Sequence, residues 1–359
     1  MDRRRLRHAR LRAHRLSAPA ASVADAAQRM LAVQAQDFRG GRWALGVRTR
    51  GTATIAQVDA AFDRGDIVRS WTMRGTLHIA PARDLSWILD VTAERQFRAA
   101  AAPRRREGID EDDLVRAERV VRSALRGGGR LTRAELFALL DGGGVPTQGQ
   151  RGYHVLTSLS LRRVVVQGPV VERGGALSRE QHIVLFDDWT ADAASPDDPV
   201  AELFARYIAG HGPATAADFA WWAALPIGAA RQAAEAAADA VEQVPGEGEP
   251  RFVSASAPPR RSAAASRVIA LPPFDEYYLS YADRTGVCDA ELLDRVGPGK
   301  NGMVAAVLLA DGDVVGRWTH AAALAGRRDE PAGRLFAPDA ATPDEVDAAL
   351  ARYRAFVTV

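Results

Sequence analysis

The sequence predicts an α+β fold made of three tandem winged helix-turn-helix motifs and a β-rich C-terminal subdomain. A pattern of three helices followed by a β-hairpin, which is the plan of a winged helix, occurs three times along the chain. The last third of the chain instead alternates short strand-like segments with turns. We expect winged helices over 1–105, 106–192 and 193–262, and the C-terminal subdomain over 263–359.

The first winged helix has the loosest pattern of the three. Apolar residues at helical spacing predict helices over 3–15, 22–33 and 54–63. Two segments rich in strand-forming residues then predict strands over 68–73 and 76–79.

The middle winged helix has the clearest start and stop signals. Helical spacing over 112–125 ends at three successive glycines. Thr132 and Glu135, three residues apart, form a capping box that begins the second helix. The third helix is expected over 148–163. Strands follow over 164–167 and 176–178.

The third winged helix repeats this order. Its first helix, over 202–209, is broken by His211-Gly212-Pro213. Thr215 caps the second helix, with Asp218 in the acidic first turn. A third helix is expected over 227–240, and strands over 241–244 and 251–254.

The C-terminal subdomain is identified by its strands. These are expected over 268–271, 303–310 and 314–318, with Asp311-Gly312 as a hairpin turn between the last two. A closing helix over 344–353 and a short strand over 356–359 complete the prediction.

Length and composition narrow the class of protein. A chain of 359 residues is too long for one ordinary core, and 47% hydrophobic with 26% charged residues is typical of a folded protein. One cysteine, Cys288, excludes an internal disulfide framework and fits a reducing compartment. No stretch approaches the roughly 20 apolar residues that span a bilayer, and the arginine-rich start lacks the apolar stretch of a secretory signal. We expect a cytoplasmic protein without membrane contact.

The net charge of +2 does not by itself indicate nucleic-acid binding. Lys300 is the single lysine among 47 basic residues, so the positive charge is carried by arginine. Guanidinium groups suit bidentate phosphate contacts. A GC-rich genome explains the same bias, and composition does not separate the two.

The polar motif Gln34-Ala35-Gln36 is the first candidate for chemistry. If the chain is extended there, both amide side chains point the same way. Amides do not act as acids or bases near neutral pH, but they can hold a water molecule or stabilise developing charge. The alternative is a helix end with solvated polar residues.

A second candidate group consists of basic side chains. Arg69, Arg74 and His78 lie on the first predicted hairpin, where a guanidinium or imidazole could meet a phosphate or a base edge. A hairpin with an internally satisfied histidine explains the same residues. Two arginine pairs, Arg104-Arg105 and Arg162-Arg163, flank predicted elements of the middle unit and could track phosphates.

Asp275 and Glu276 form a third candidate. Hydrolytic carboxylate pairs face one gap, whereas adjacent residues should diverge, so a packed aromatic corner is the favoured interpretation. Trp221-Trp222 is interpreted as core. The chain has no phosphate loop and no zinc-ligand spacing. We expect no metal and no cofactor.

Taken together, the motifs resemble the bacterial winged-helix family that contains the AlkZ and YcaQ DNA glycosylases. The resemblance implies three winged helices in a concave, C-shaped scaffold that binds double-stranded DNA. Family members excise bulky N7-alkylated guanines, and some unhook interstrand crosslinks or protect producers of DNA-alkylating antibiotics. The matching segments are 31–37, 43–45, 73–78, 211–213, 218–222, 271–277, 301–302 and 311–318.

The resemblance also implies roles for particular residues. The catalytic element of the AlkZ branch is Gln-x-Gln, which Gln34 and Gln36 match, whereas the YcaQ branch has Gln-x-Asp. It implies a monofunctional glycosylase without a lysine nucleophile. Its partner would be double-stranded DNA that contains alkylated purines. We expect a monomer in the cytoplasm, at the nucleoid. A non-catalytic DNA-binding protein, either a transcription factor or a lesion-binding protein, is the alternative.

Overall fold

The computed structural model describes residues 1–172, 178–244, 248–256, 265–319 and 331–358. The described chain is an α+β structure, as the sequence predicts. It forms two units, the first from 1–58 with 200–359 and the second from 59–199. Within the described ranges, no helix is both long enough and apolar enough to cross a bilayer.

The N-terminal segment of the first unit is mostly helical. Ser22 caps the second helix by accepting a hydrogen bond from the Asp25 backbone. That helix ends at Met30, three residues earlier than expected, because Leu31 adopts a positive φ of 60°. The elements are α1 (Arg3–Ala13), α2 (Val23–Met30), β1 (Val33–Gln34) and α3 (Phe38–Val47). Helix α4 (Ile55–Asp63) begins in this unit and ends within the residues of the second.

The sequence pattern misses helix α3. All ten of its residues are buried, so it has no polar face and no amphipathic period. Gly40 and Gly41 also lower its intrinsic helix propensity. Asp37 caps this helix by accepting a hydrogen bond from the Arg39 backbone N–H at 3.2 Å.

The second unit contains the expected order of three helices and a hairpin, flanked by elements that the sequence did not predict. The capping box of Thr132 and Glu135 is confirmed at the start of the middle helix of the three. The unpredicted elements are a long helix and a short one directly after the first hairpin, and a four-residue helix after the second hairpin. The elements are β2 (Ile67–Trp71), β3 (Leu77–Pro81), α5 (Ala82–Ala99), α6 (Ala101–Arg106), α7 (Glu111–Leu125), α8 (Arg133–Gly142), α9 (Arg151–Leu161), β4 (Val165–Val170), β5 (Gln181–Leu185) and α10 (Phe186–Trp189).

Four strands of the second unit form one antiparallel sheet in the order β3-β2-β4-β5. Two hairpins that the sequence assigned to separate modules therefore share a sheet, with Arg69 opposite Gln167. Of the strand expected over 176–178, the first two residues lie outside the described ranges, and Ser178 precedes β5. The division into three winged-helix modules stays a prediction.

The part of the chain that begins the second segment of the first unit, from residue 200, follows the predicted pattern closely. Both expected strands of the third hairpin have the predicted bounds, and Thr215 and Asp218 form a capping box. Trp222 is buried, but Trp221 is 40% exposed, so the interpretation of both as core was wrong for Trp221. Neighbouring helix positions point about 100° apart, which explains the difference. The elements are α11 (Pro199–His211), α12 (Ala216–Ala223), α13 (Ile227–Ala236), β6 (Val241–Val244) and β7 (Arg251–Ser254).

The C-terminal part forms a second sheet, in the order β11-β10-β9-β8, covered by a closing helix. Asp311 and Gly312 both have positive φ, which confirms the hairpin turn. The strand expected over 356–359 is wrong over 356–358, because the closing helix continues to Val357 and buries Phe356; Val359 lies outside the described residues. The elements are β8 (Val268–Leu271), α14 (Glu276–Leu279), α15 (Leu293–Val296), β9 (Val307–Ala310), β10 (Asp313–Trp318), β11 (Gly333–Leu335) and α16 (Pro343–Val357).

Candidate active site

Gln34-Ala35-Gln36 lies between two helix ends in the first unit. Gln34 ends strand β1, and the next three residues lead to helix α3. Gln34 is only 6% exposed and Ala35 is fully buried, whereas Gln36 is exposed. The segment was predicted to be the end of the second helix, but that helix ends at Met30 and the motif begins after it, at the last residue of strand β1. Of its two glutamines, only Gln36 is exposed.

The backbone of the motif is held by a carboxylate from a distant part of the chain. The Gln34 backbone N–H donates to Glu276 Oε1 at 2.8 Å. Glu276 is the first residue of helix α14 and is 0% exposed. This contact joins two of the sequence motifs, and it fixes the end of β1 through a buried acceptor.

The second oxygen of Glu276 is also engaged. The indole Nε1–H of Trp222 donates to Oε2 at 3.0 Å, and the Ser280 hydroxyl donates to the same oxygen. Trp222 lies on helix α12 and is fully buried. Three donors from three segments thus meet one buried carboxylate, which offsets the cost of removing it from water.

The neighbouring carboxylate, Asp275, points to a different partner. Arg48 donates to both of its oxygens, at 2.7 and 2.8 Å, and both side chains are essentially excluded from solvent. Asp275 also accepts from the Tyr277 backbone N–H at 2.9 Å and so caps helix α14. The expected divergence of Asp275 and Glu276 is confirmed, and the two do not form a pair facing one gap.

A buried cluster of imidazole and phenol rings packs beside this carboxylate network. The Tyr281 hydroxyl donates to the His211 backbone oxygen at 2.7 Å and lies 2.8 Å from His14 Nε2. Since the hydroxyl has one proton, His14 donates from Nε2 and is the neutral Nε2–H tautomer. Burial, followed by the charges of His211 and Arg48, holds the pKa of His14 well below its usual range. The ring of His211 stacks on Tyr207, and Trp222 lies next to both.

In the second unit, the buried side chain of His78 accepts a hydrogen bond from Arg74 within the first hairpin. Arg74 Nη2 lies 3.1 Å from His78 Nε2, and His78 is fully buried. Because a guanidinium can only donate, Nε2 is the acceptor and the proton is on Nδ1, near Thr72 Oγ1 and Thr76 O. Burial, and then the charge of Arg74, hold the pKa of His78 well below its usual range.

The remaining predicted basic residues differ in how far they reach solvent. Arg69 is buried and donates to Gln167 Oε1 at 2.7 Å, within the sheet. Arg163 is half-buried and pairs with Asp90. Arg105, on helix α6, is exposed.

Arg104 and Arg162 both lie against the ring of Phe97. Their guanidinium carbons are 3.7 and 5.0 Å from the ring centroid. Burial, and then the charge of Arg162, lower the pKa of Arg104. Arg162 also pairs with Glu111 at 2.5 Å. This arrangement holds two cations side by side through a shared aromatic face.

The sequence did not indicate that Glu276 contacts Gln34, or that Arg48 pairs with Asp275. These partners are 242 and 227 residues apart, so no local spacing connects them. The available signal was chemical: acidic residues inside an apolar, aromatic segment need buried donors. Among the residues with described coordinates, no three His, Cys, Asp or Glu side chains gather in a way that could hold a metal ion.

Comparison with known proteins gives a consistent result. The family model described as "DNA glycosylase AlkZ-like" matches residues 27–356. Among solved structures, the chain is similar to Streptomyces sahachiroi DNA glycosylase AlkZ, with a TM-score of 0.76 and 22% sequence identity. That alignment covers 99% of this chain and 97% of the other, and it shows a shared fold. Curated protein sequences give no significant match.

Proposed function

The chain belongs to the AlkZ-like DNA glycosylase family, and on this premise we propose that it hydrolyses the N-glycosidic bond of bulky N7-alkylated guanines in double-stranded DNA. One observation carries the proposal. The Gln34-Ala35-Gln36 motif lies in a short connection whose backbone is fixed at Gln34 and whose Gln36 side chain reaches solvent. We assign the catalytic roles to Gln34 and Gln36.

The chemistry suits two amides. An N7-alkylated guanine is already positively charged, so it leaves with the electron pair of the C1′–N9 bond and becomes neutral without an acid. A water oxygen bonds to C1′, and the released proton passes to solvent. The glutamine carbonyl oxygens can accept a hydrogen bond from this water and face the positive charge that develops on the sugar. Undamaged guanine would need an acid that amides cannot supply.

The same reasoning accounts for a monofunctional enzyme without a cofactor. The motif contains no amine that could attack C1′, and Lys300, the single lysine of the sequence, is exposed. Cleavage of one glycosidic bond would also release one strand of an interstrand crosslink, and would serve self-resistance to a DNA-alkylating natural product. We propose a monomer that works in the cytoplasm.

We assign the phosphate contacts to the basic residues of the second unit. Arg105 is exposed, and Arg74, Arg162 and Arg163 are partly exposed, so their cationic groups can reach a phosphate. The buried members of the predicted set support this surface: His78 contacts Arg74, Arg104 lies beside Arg162 on Phe97, and Arg69 bonds within the sheet.

The test is direct release of alkylated base. Duplexes that carry a single N7-methylguanine or a bulky N7-alkylguanine are incubated with the protein, and free base is quantified by mass spectrometry. Gln34→Ala and Gln36→Ala should each lower release by about 100-fold, the usual loss for a positioned dipole at a transition state. Gln28→Ala, an exposed glutamine on helix α2, is the control and should retain full release.

Equal release by the wild-type protein and by the Gln34→Ala/Gln36→Ala double variant would contradict the assignment. Selective binding of the adduct without any free base would instead support a lesion-binding protein.

A further inference from the structure

We propose that Glu276 is a positioning residue for the glutamine motif. Its carboxylate would hold the Gln34 backbone in the place from which Gln34 and Gln36 act. The inference rests on the proposed function and adds to it a residue of the C-terminal part of the chain. It is carried by the hydrogen bond between the Gln34 N–H and Glu276 Oε1, 2.8 Å long and fully buried.

The motif depends on this contact because its own secondary structure is short. Strand β1 has two residues, Leu31 before it has a positive φ, and helix α3 begins only at Phe38. A hydrogen bond to a charged acceptor is shorter and stronger than one between neutral groups. Loss of this strong acceptor weakens the hold on the Gln34 backbone, so we expect the connection to shift. Displacement of a reacting group by about 1 Å can lower a rate by about 100-fold.

The donors around Glu276 explain why the residue has to be a carboxylate. The Gln34 N–H and the Trp222 indole N–H can only donate, and they meet opposite oxygens of the side chain. A glutamine of the same size would present an NH₂ group to one of these two donors. Ser280 can rotate its hydroxyl and so does not discriminate. Glu276→Gln therefore disturbs the contact while preserving the shape of the side chain.

Asp275 supplies a matched control. It is adjacent to Glu276 and equally buried, but its oxygens bind Arg48 and the Tyr277 backbone, and none of these contacts reaches the motif. Asp275→Asn makes the same chemical change one residue away and keeps a good helix-capping residue. The Asp275→Asn variant therefore shows how much stability is lost when a buried carboxylate is removed without any change at the motif.

The experiment measures single-turnover base release with saturating enzyme, together with DNA affinity and thermal unfolding, on the full chain. Glu276→Gln should lower the rate by about tenfold or more and leave the Kd for DNA within about twofold, because it misplaces the motif and spares the binding surface. Asp275→Asn should unfold at lower temperature and retain the wild-type rate. In the double variant Glu276→Gln/Gln36→Ala, the fold-reduction in rate should be smaller than the product of the two single reductions, because both residues act on one motif.

A wild-type rate in folded Glu276→Gln, or losses that simply multiply with those of Gln36→Ala, would overturn the positioning role. If Glu276→Gln does not fold, Glu276→Asp replaces it. Glu276→Asp keeps the charge, shortens the side chain by one methylene, and should give an intermediate rate; an unchanged rate in that variant would also overturn the proposal. If the wild-type protein itself releases no base, the proposed function fails and this inference fails with it.

Discussion

The two units hold their candidate functional side chains in different ways. In the first unit, Gln34 is fixed through its backbone by a buried carboxylate with three donors. In the second unit, Arg74 contacts a neutral imidazole, Arg104 lies on the face of Phe97, and Arg162 lies on the same ring while it pairs with Glu111 near the surface. The first arrangement restricts position, whereas the second keeps positive charge near the surface and leaves it adaptable.

The difference indicates a division of tasks. Chemistry needs groups placed to within about 0.5 Å by buried, hydrogen-bonded neighbours. Binding to a phosphate backbone needs positive charge and tolerates variation in geometry. We therefore expect substitutions in the first unit to change rate or stability, and substitutions in the second unit to change DNA affinity and its dependence on salt.

The largest effect on stability is expected at Arg48 in the first unit. Arg48→Ala leaves the carboxylate of Asp275 buried without its cation, which costs about 3–5 kcal/mol of unfolding free energy. Urea denaturation measures this loss. Arg267→Ala is the control, because Arg267 binds Glu345 with similar bidentate geometry at the exposed surface and should change stability little. Equal losses for both variants would mean that burial does not set the strength of the Asp275 pair.

A second prediction uses pH, because a buried histidine with a lowered pKa lies in each unit, His14 in the first and His78 in the second. An unfolded histidine takes up a proton as pH falls below about 6.5, whereas the folded protein resists it. Their contribution to stability is thus fully present above that pH and is lost as pH falls, at up to about 1.4 kcal/mol per pH unit for each histidine.

Urea titrations between pH 7.5 and about 5.5 should show this decline. His78→Gln and His14→Gln should each make the decline shallower. An unchanged slope in both variants would show that neither histidine is kept neutral by the fold.

The smallest effect is expected at the surface of the second unit. Arg105→Ala should weaken DNA binding equally for damaged and undamaged duplexes and lower the salt slope of the affinity by about 1, as for one lost phosphate contact. Fluorescence anisotropy at several salt concentrations measures both quantities. Arg98→Ala removes an exposed arginine that is paired with Glu94 and serves as the control. A lower base-release rate at saturation in Arg105→Ala would contradict the division of tasks.

The accuracy of the sequence predictions follows from how local each signal is. Thr132 with Glu135, Thr215 with Asp218, and Asp311 with Gly312 each encode a cap or a turn within a few residues, and all three are confirmed. Helix α3 is buried on every side and so has no amphipathic period. Helix α5 lacks a side-chain cap at its start, but its buried residues recur at helical spacing, so periodicity was a signal that the sequence prediction overlooked.

The site was predicted in part for the same reason. Gln34 and Gln36 are neighbours in sequence and match a family motif, so they could be named as candidates. The carboxylate that holds Gln34 lies 242 residues away, and only the folded chain brings it there. The predicted divergence of Asp275 and Glu276 is correct because the directions of adjacent side chains are set locally. Their partners, Arg48 and Gln34, are distant in sequence and could not be predicted.

The most direct test of the division between the two units is single-turnover release of N7-alkylguanine from a defined duplex, measured with saturating wild-type protein, Gln36→Ala and Arg105→Ala. We expect Gln36→Ala to be slower by about 100-fold at unchanged DNA affinity. Arg105→Ala should bind less tightly and react at the wild-type rate once saturated. Release by Gln36→Ala at the wild-type rate would contradict the assignment of the chemistry to the glutamine motif.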